Sequence, residues 1–420
     1  MTNITIPLLG LVDLGLMGHL GSPEYIGAIA VGGMIFNFLF WAFGFLRMGT
    51  SGFTAQAFGS RNLPEAANLL LRALFSGFAA GVLLILLQWP LAWISFRLIH
   101  SSPAVEILAH QYFNVRIFAT PATLCMYALY GWFIGMQNAR IPMILAISIN
   151  LLNIGLSLLF VNVFKLNSNG LAWANLISQY VGLVLGLLFV GMYARKLRKY
   201  IDLRKAMQWK AFRGFLSVNK DIFIRTLCLI FTLSFFTTQS ANESVITLAV
   251  NTLLFQFFYF FSYFVDGFAY AAEALAGKYI GASNKLMLKS VVRRLFLWGI
   301  GIAVTFTIIY AFGAQSILRI LTNDRATLEA ARPYLFWVIL VPVITFSAFI
   351  WDGIFVGATA SKAMRNSMLI ITTLIFLPAY YFLHPLMGNH GLWLAMMLFM
   401  GARGVFLSFF ARKAIFNRIQ

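Results

Sequence analysis

The sequence is poor in charged residues, and acidic residues are the scarcest of them. Asp and Glu together occupy 12 of 420 positions, and charged residues make up 10% of the chain, whereas 61% is hydrophobic. A soluble protein of this size needs far more charge on its surface. The composition therefore excludes a soluble globular protein and predicts a protein embedded in a membrane.

The sequence also lacks the short motifs of well-known enzyme classes. It contains no HExxH metal site, no GxSxG nucleophile elbow, no GxxxxGK[ST] phosphate loop and no paired-Asp motif for a prenyl diphosphate. These absences argue against an enzyme, although a membrane-embedded enzyme stays open as an alternative class. Without a nucleotide-binding loop, a protein that pumps must draw its energy from an ion gradient.

Cysteine and histidine are too sparse to suggest a disulfide or a metal centre. Cys125 and Cys228 both lie inside predicted membrane spans, away from an oxidising compartment. The five histidines lie at helix ends or in loops, with no Cys, Asp or Glu at ligand spacing. A site at His384 and His390 is the remaining metal alternative, and it is disfavoured. We therefore expect neither a prosthetic cofactor nor a bound metal.

Long hydrophobic runs, in contrast, are abundant. Twelve stretches are long enough to cross a bilayer, which takes about 20 apolar residues. They cover residues 4–20, 26–57, 66–88, 105–135, 142–164, 171–194, 216–239, 245–277, 290–313, 327–357, 364–384 and 391–411. Two stretches in each half exceed a perpendicular crossing, so we expect them to tilt or to extend beyond the bilayer.

The two halves of the chain resemble each other at an offset of 222 residues. The matches are Gly59 on Gly281, Asn62 on Asn284, Arg72 on Arg294, Tyr112 on Tyr334, and Gly131–Gly135 on Gly353–Gly357. Each identity is weak alone, but a nearly constant offset indicates a duplicated unit. Membrane proteins built from two similar halves are commonly transporters with a site where the halves meet.

Six spans in each half predict a parallel duplication, because an even number returns the chain to the side where it started. We expect an all-α polytopic membrane protein, with twelve transmembrane helices in two pseudo-symmetric six-helix bundles around a central cleft. The predicted parts are an N-terminal lobe at 1–194, a basic linker at 195–214 and a C-terminal lobe at 215–420.

The net charge of +19 follows the membrane topology. The predicted outward loops hold only Arg97, Lys165, Arg319 and Arg325, whereas the inward loops and tail hold most of the other basic residues. This asymmetry places both termini in the cytoplasm and argues against a nucleic-acid partner. The basic run from Arg195 to Arg213 is either an orientation signal alone or a segment that lies on anionic headgroups.

Four acidic residues fall within predicted spans: Asp13, Asp266, Glu273 and Asp352. An ionised carboxylate at mid-membrane costs about 2.5–3.5 kcal/mol on the insertion scale, so each needs a partner or a task. Because burial favours the neutral form of a carboxyl group, such a group is suited to loading and releasing a proton.

Asp13 has no basic residue in its own helix, so polar partners must come from other helices. Amide and hydroxyl side chains recur on one face of the fifth span and on one face of the sixth. They are Asn150, Asn153 and Ser157 on the fifth span, and Asn175 and Gln179 on the sixth. These groups either serve Asp13 or simply join helices by hydrogen bonds.

The embedded acids of the second half have a structural alternative. Asp266 and Glu273 share a face of the eighth span, and Asp352 lies near the inner end of the tenth. Each either tunes substrate capture or forms a buried ion pair. The candidate partners are Arg47, Arg116, Arg225 and Arg332. The spacing of Asp221 and Arg225 separately predicts an i, i+4 pair at a helix entrance.

Four segments resemble the multidrug and toxic compound extrusion (MATE) family, and within it the branch named after damage-inducible protein F. They are Ile4–Asp13, Phe45–Gly59, Asp266–Ala271 and Met364–Met368. The resemblance covers essentially the whole chain. It implies a twelve-helix, two-lobed fold and antiport, in which inward H⁺ or Na⁺ drives export of amphipathic, often cationic compounds. It also places Asp13 on the first-helix coupling carboxylate and Asn153 on a fifth-helix asparagine.

The chain departs from the family pattern at two site positions and at its start. Ser157 stands where many members carry a second acid, and Asn175 stands in place of a threonine. Because Na⁺ commonly needs several oxygen ligands, losing a carboxylate favours H⁺ as the coupling ion. The repeat also aligns Met1 with Phe223, although the second half has coherent sequence from about Trp209 onward. The resemblance to the family implies about fifteen to twenty further residues upstream, so we expect the first helix to begin before Met1.

These observations predict a secondary active transporter of the bacterial inner membrane, acting as a monomer on small organic, often cationic substrates. The main alternative is a flippase for lipid-linked precursors, which should line its cavity with several Arg or Lys to hold a diphosphate. Near-membrane arginines are few: Arg47, Arg72, Arg116, Arg225, Arg332 and Arg403.

Overall fold

The computed structural model describes residues 23–99, 101–193 and 199–418, and these contain helices and no β-strand. The first half contains α1 (Pro23–Ala42), α2 (Phe45–Gly59), α3 (Leu63–Leu86), α4 (Gln88–Leu98), α5 (Pro103–Arg116), α6 (Thr120–Gly135), α7 (Arg140–Leu158), α8 (Asn167–Tyr193) and the short α9 (Leu203–Ala206). The second half contains α10 (Trp209–Glu243), α11 (Val245–Gly281), α12 (Lys285–Leu321), α13 (Arg325–Ala331), α14 (Leu335–Gly357), α15 (Ser361–Ile370), α16 (Leu377–Met387) and α17 (Asn389–Ala414). A π-helical turn, Leu159–Val163, follows α7, and another, Ile371–Phe376, joins α15 to α16.

Eleven of the twelve predicted membrane spans are present as long apolar helical segments within the described residues. The remaining one, 4–20, lies outside them. The predicted ends were too short in the second half: α10 begins at Trp209 rather than 216, and α12 covers Lys285–Leu321 rather than 290–313. At 1.5 Å per residue a helix of 37 residues is about 55 Å long, so α11 and α12 exceed the hydrocarbon thickness. Hydropathy marks the apolar part of such a helix and misses its polar extension.

The internal repeat recurs in the backbone at the helix starts. The side chain of Asn62 caps α3 and that of Asn284 caps α12, each accepting the backbone N–H three residues later, at 3.1 and 3.0 Å. Left-handed residues recur at the same offset: Arg61 (φ 57°) with Ser283 (φ 51°), and Gln137 (φ 62°) with Thr359 (φ 48°). The sequence offset therefore corresponds to repeated local structure.

The described residues form two compact units. The first holds everything before Ala55 together with Asn62–Phe215, and the second holds Ala55–Arg61 and everything after Phe215. Ala55–Arg61 joins the second unit through Gln56, whose Nε2 donates to the carbonyl of Gly357 (2.8 Å) and to Oγ1 of Thr359 (3.2 Å).

Each unit contains the same glycine contact between two of its helices. In the first unit Gly131 of α6 packs against the backbone carbonyl of Arg47 in α2. In the second unit Gly353 of α14 packs against the carbonyl of Ala269 in α11. A side-chain carbon at either glycine would overlap that carbonyl, and the members of the two pairs are again 222 positions apart. Small residues at such positions let membrane helices approach closely.

Candidate ion-coupling site

Asn153 and Ser157 lie one turn apart on α7, and both side chains are buried. Ser157 Oγ donates a hydrogen bond of 3.2 Å to Asn153 Oδ1. This bond uses one of the two lone pairs of the oxygen, and the Asn153 amide nitrogen makes no hydrogen bond with another described residue. The pair therefore presents a donor to its surroundings.

The second predicted polar set lies on α8, which packs against α7 within the first unit. The two helices meet at Gly182, where the Ile149 side chain occupies the space of a Cβ atom. Asn175 and Gln179 are half-buried, and within the described residues neither side chain forms a hydrogen bond. No hydrogen bond links the α7 set to the α8 set in this part of the chain.

Ser178 is a polar residue of this face that the sequence argument missed. It lies one residue before Gln179 and is fully buried, and its hydroxyl has no hydrogen-bond partner among the described residues. Its i, i+3 spacing from Asn175 was the available signal. Because buried hydroxyl groups normally form hydrogen bonds, the described residues do not supply all the partners of this polar face.

Asp13, the predicted centre of the site, lies outside the described residues.

In the second unit, Asp352 of α14 forms a buried ion cluster with two arginines. Arg403 of α17 donates from Nη2 to Asp352 Oδ2 at 2.6 Å, and Arg225 of α10 donates from Nη2 to the same oxygen. All three residues are buried. The ion-pair alternative therefore holds for Asp352, with Arg403 as a partner that the sequence argument did not include.

The cluster carries two positive groups on a single carboxylate. In the part of the chain that the structure describes, the Nε atoms of Arg225 and Arg403 are buried without a hydrogen-bond partner. Asp266 of α11 interacts electrostatically with Arg403 and supplies further negative charge. Glu273, also on α11, is buried. The arrangement joins α10, α14 and α17 and neutralises charge inside the bundle.

The predicted pair of Asp221 with Arg225 is wrong. Asp221 instead accepts from Arg365 Nη1 at 2.5 Å and from Ser361 Oγ at 3.0 Å, both in α15. Arg225 is held by Asp352. The i, i+4 spacing suggested a pair within α10. In the structure, Asp221 binds residues of α15 and Arg225 binds Asp352 of α14.

His384 and His390, the two histidines considered for a metal site, contact different residues. His384 Nε2 lies 2.5 Å from Glu243 Oε1, and His390 Nδ1 accepts from Trp337 Nε1 at 3.0 Å. Within the described residues no group of three or more His, Cys, Asp or Glu side chains could hold a metal ion.

Known proteins resemble this chain throughout its length. The MatE family model matches residues 1–159 and 223–382, two segments that begin 222 positions apart. DNA damage-inducible protein F of Escherichia coli K12 is 36% identical, covering 98% of this chain and 89% of that protein. Protein DETOXIFICATION 42 of Arabidopsis thaliana is 25% identical, covering 82% and 65%. The probable multidrug resistance protein NorM of Thermotoga maritima is 24% identical, covering 79% and 71%.

Solved structures share the fold. A MATE crystal structure in the straight conformation superposes with a TM-score of 0.87 at 18% identity, covering 99% of this chain and 93% of that one. An outward-facing multidrug resistance MATE transporter of the MOP superfamily gives 0.86 at 18% identity with the same coverage. The fold is thus that of a helical multi-pass membrane transporter. The chain belongs to the MATE family of multidrug and toxic compound extrusion proteins, which are transporters and not enzymes.

Proposed function

We propose that this protein is a proton-coupled antiporter that exports amphipathic, often cationic organic compounds, and that Asp13 carries the coupling proton. In this proposal Asn153, Ser157, Asn175 and Gln179 form the polar surroundings of Asp13. The protein acts as a monomer in the bacterial inner membrane with both termini in the cytoplasm.

The observation that carries the choice of ion is the Asn153–Ser157 hydrogen bond. Ser157 donates to one lone pair of the amide oxygen, and the Asn153 amide nitrogen is an N–H donor. A donor stabilises a carboxylate and repels a metal cation, whereas Na⁺ needs several oxygen ligands. The described parts of α7 and α8 carry no acidic residue that could add a ligand. This polar set therefore suits a carboxyl group that exchanges a proton.

One proton per cycle is energetically sufficient for export. Moving one charge down a membrane potential of 100 mV releases about 2.3 kcal/mol. A tenfold concentration ratio of substrate costs about 1.4 kcal/mol. Antiport requires that protonation of Asp13 and binding of substrate exclude each other, which is a coupling between two ligands.

The flippase alternative loses support at the arginines. Arg225 and Arg403 are bound to Asp352, and Arg72 is bound to Glu65 at 2.6 Å. Arg116 donates to the Tyr112 hydroxyl and lies over the Phe36 ring. Four of the six near-membrane arginines are therefore engaged in contacts within a unit and do not offer a diphosphate its partners.

The proposal is tested with purified protein in proteoliposomes. A pH gradient imposed without Na⁺ should drive movement of a lipophilic cation, and Asp13→Asn should abolish it. Asp202→Asn, which changes a half-buried linker acid in the same way, is the matched control and should transport normally. Size-exclusion profiles and melting temperatures establish that each variant is folded. Transport driven by Na⁺ alone, or normal transport by Asp13→Asn, would refute the assignment.

A further inference from the structure

The linker that follows α8 is fixed in place on the first unit. Arg72 of α3 donates from Nε to the carbonyl of Ala206 at 2.6 Å and reaches the carbonyl of Lys205 at 3.5 Å. The Asp202 backbone N–H donates to Asn68 Oδ1 at 3.3 Å. Arg72, Asn68 and Ala206 are all buried. These contacts hold α9 against α3 and determine which side of the linker faces outward.

The only acid of this segment is used internally. Asp202 accepts from the backbone N–H groups of Arg204 (3.0 Å) and Lys205 (3.2 Å), which caps α9. The same contacts lower the pKa of Asp202 below its ordinary value, chiefly through the Lys205 N–H. The Asp202 carboxylate therefore acts as the N-terminal cap of α9.

The outward side of the linker combines basic and apolar side chains. We call residues 199–213 the linker surface. Its exposed basic residues are Lys199, Arg204, Lys205, Lys210 and Arg213, and its exposed apolar residues are Ile201, Leu203, Met207 and Trp209. Leu203 is 65% exposed and Trp209 is 70% exposed. Large apolar side chains at this exposure call for a partner other than water.

The position of the linker surface between two membrane spans identifies that partner. The preceding candidate span ends at Tyr193 and the next begins at Trp209, within the linker surface, so the segment starts and ends at the bilayer. Tryptophan and leucine beside lysine and arginine form the composition that inserts at the headgroup level of an anionic leaflet. Nucleic acid would satisfy the basic groups but leave Leu203 and the other apolar side chains in water.

We propose that the linker surface binds phosphate-bearing anionic lipid headgroups of the leaflet on its own side. The basic side chains contact the phosphates, and the apolar side chains enter the region below them. Each basic residue at an anionic surface strengthens binding by about fivefold. Arg72 acts as a positioning residue, because it orients the surface without touching lipid.

The test uses the full chain in nanodiscs, with a spin label on a single cysteine at Gln208, which is exposed. In phosphatidylcholine discs containing phosphatidylglycerol, collisions of the label with a water-soluble nickel complex should fall relative to discs of phosphatidylcholine alone. The triple variant Arg204→Gln, Lys205→Gln, Lys210→Gln should lose most of this difference. High salt should also reduce it, because the attraction is electrostatic.

A matched control removes three other exposed basic charges: Lys289→Gln, Lys362→Gln and Lys413→Gln. It should respond to phosphatidylglycerol as the parent does. Trp209→Ala should weaken the response, and Arg72→Met should weaken it while leaving every linker charge in place. If Arg72→Met does not fold, the triple variant still decides the question, since its substitutions are on exposed side chains.

Three results would overturn the proposal. The first is an equal response in the triple variant and the parent. The second is an equal loss in the control variant, which would indicate net charge alone. The third is protection of the label in neutral discs by glycerol phosphate or by an RNA oligonucleotide, which would indicate a soluble anion or nucleic acid as the ligand.

Discussion

At the scale of single residues, the Asp352 cluster shows how a membrane protein neutralises buried charge. The guanidinium groups of Arg225 and Arg403 both form an ion pair with the same carboxylate oxygen of Asp352. Removing one partner of a buried ion pair is costly, whereas replacing all partners with apolar side chains of similar volume is often tolerated.

Asp352→Asn should therefore destabilise the folded protein by about 3–5 kcal/mol, because two buried arginines lose their anion. The triple variant Asp352→Leu, Arg225→Met, Arg403→Met should recover much of that loss, as measured by melting temperature in detergent. Proton-driven transport by the folded triple variant should persist. Complete uncoupling of a normally folded Asp352→Asn protein would instead move the coupling site to the second unit.

Ser157 is the residue that separates a proton site from a sodium site in our proposal. Ser157→Glu supplies the second acid that many family members carry there, so Na⁺ should begin to stimulate or inhibit transport at constant pH. Ser157→Gln has nearly the same size without the charge and should stay insensitive to Na⁺. The measurement is substrate flux in proteoliposomes over a series of Na⁺ concentrations. Identical Na⁺ profiles for the two variants would contradict the role of this position.

At the scale of helices, the paired glycine contacts make a prediction about packing. Gly131→Ala and Gly353→Ala place a methyl group against a backbone carbonyl, which should cost about 1–3 kcal/mol of stability each. Gly267→Ala on α11 is the control, since nothing lies within 4 Å of its Cβ position. The control should be neutral or slightly stabilising, because alanine is the better helix former. Chemical denaturation in detergent compares the three, and equal effects would exclude the close approach.

The hydrogen bonds at the start of α13 predict that the local stability of this helix depends on pH. Asp324 accepts from the side chain and the backbone N–H of Thr327, and these bonds lower the pKa of Asp324 below its ordinary value of 3.8. A lowered pKa contributes stability above the ordinary value, and this contribution is lost as the pH falls through the lowered value. Asp324→Asn keeps a capping oxygen without the charge, so it should remove this part of the acid response. Hydrogen exchange of the α13 amides in parent and variant at matched pH values measures the difference, and parallel pH profiles would contradict it.

At the scale of the whole molecule, the membrane topology can be tested at the two ends of α8. Lys165 precedes this candidate span and Lys199 follows it. Cysteines at the two positions, in a background with Cys125→Ala and Cys228→Ala, should react with an impermeant reagent from opposite sides of the membrane. Lys199 should face the cytoplasm, and both should react after permeabilisation. Labelling from the same side in intact cells would break the proposed orientation.

The fold was more predictable from sequence than the site. A membrane span is a local property, because about 20 apolar residues have few alternatives to a helix in lipid. The partners of Asp221 and Arg225 depend on which helices become neighbours, so the i, i+4 spacing predicted a pair that α14 and α15 replace. Ser178 was missed because its i, i+3 spacing from Asn175 carries little weight until the burial of the serine is known.

The left-handed residues before α3 and α12, and those before α7 and α15, show what the repeat keeps in the two halves. Arg61 and Ser283 share a positive φ, as do Gln137 and Thr359, yet neither pair shares a side chain. A non-glycine residue in this conformation is strained, so mutation to glycine was an easy relief in either copy. Both copies instead keep a non-glycine residue in the same backbone conformation. At these turns the repeat is therefore better preserved in dihedral angles than in residue identities, so the backbone is the better guide to which positions of the two halves correspond.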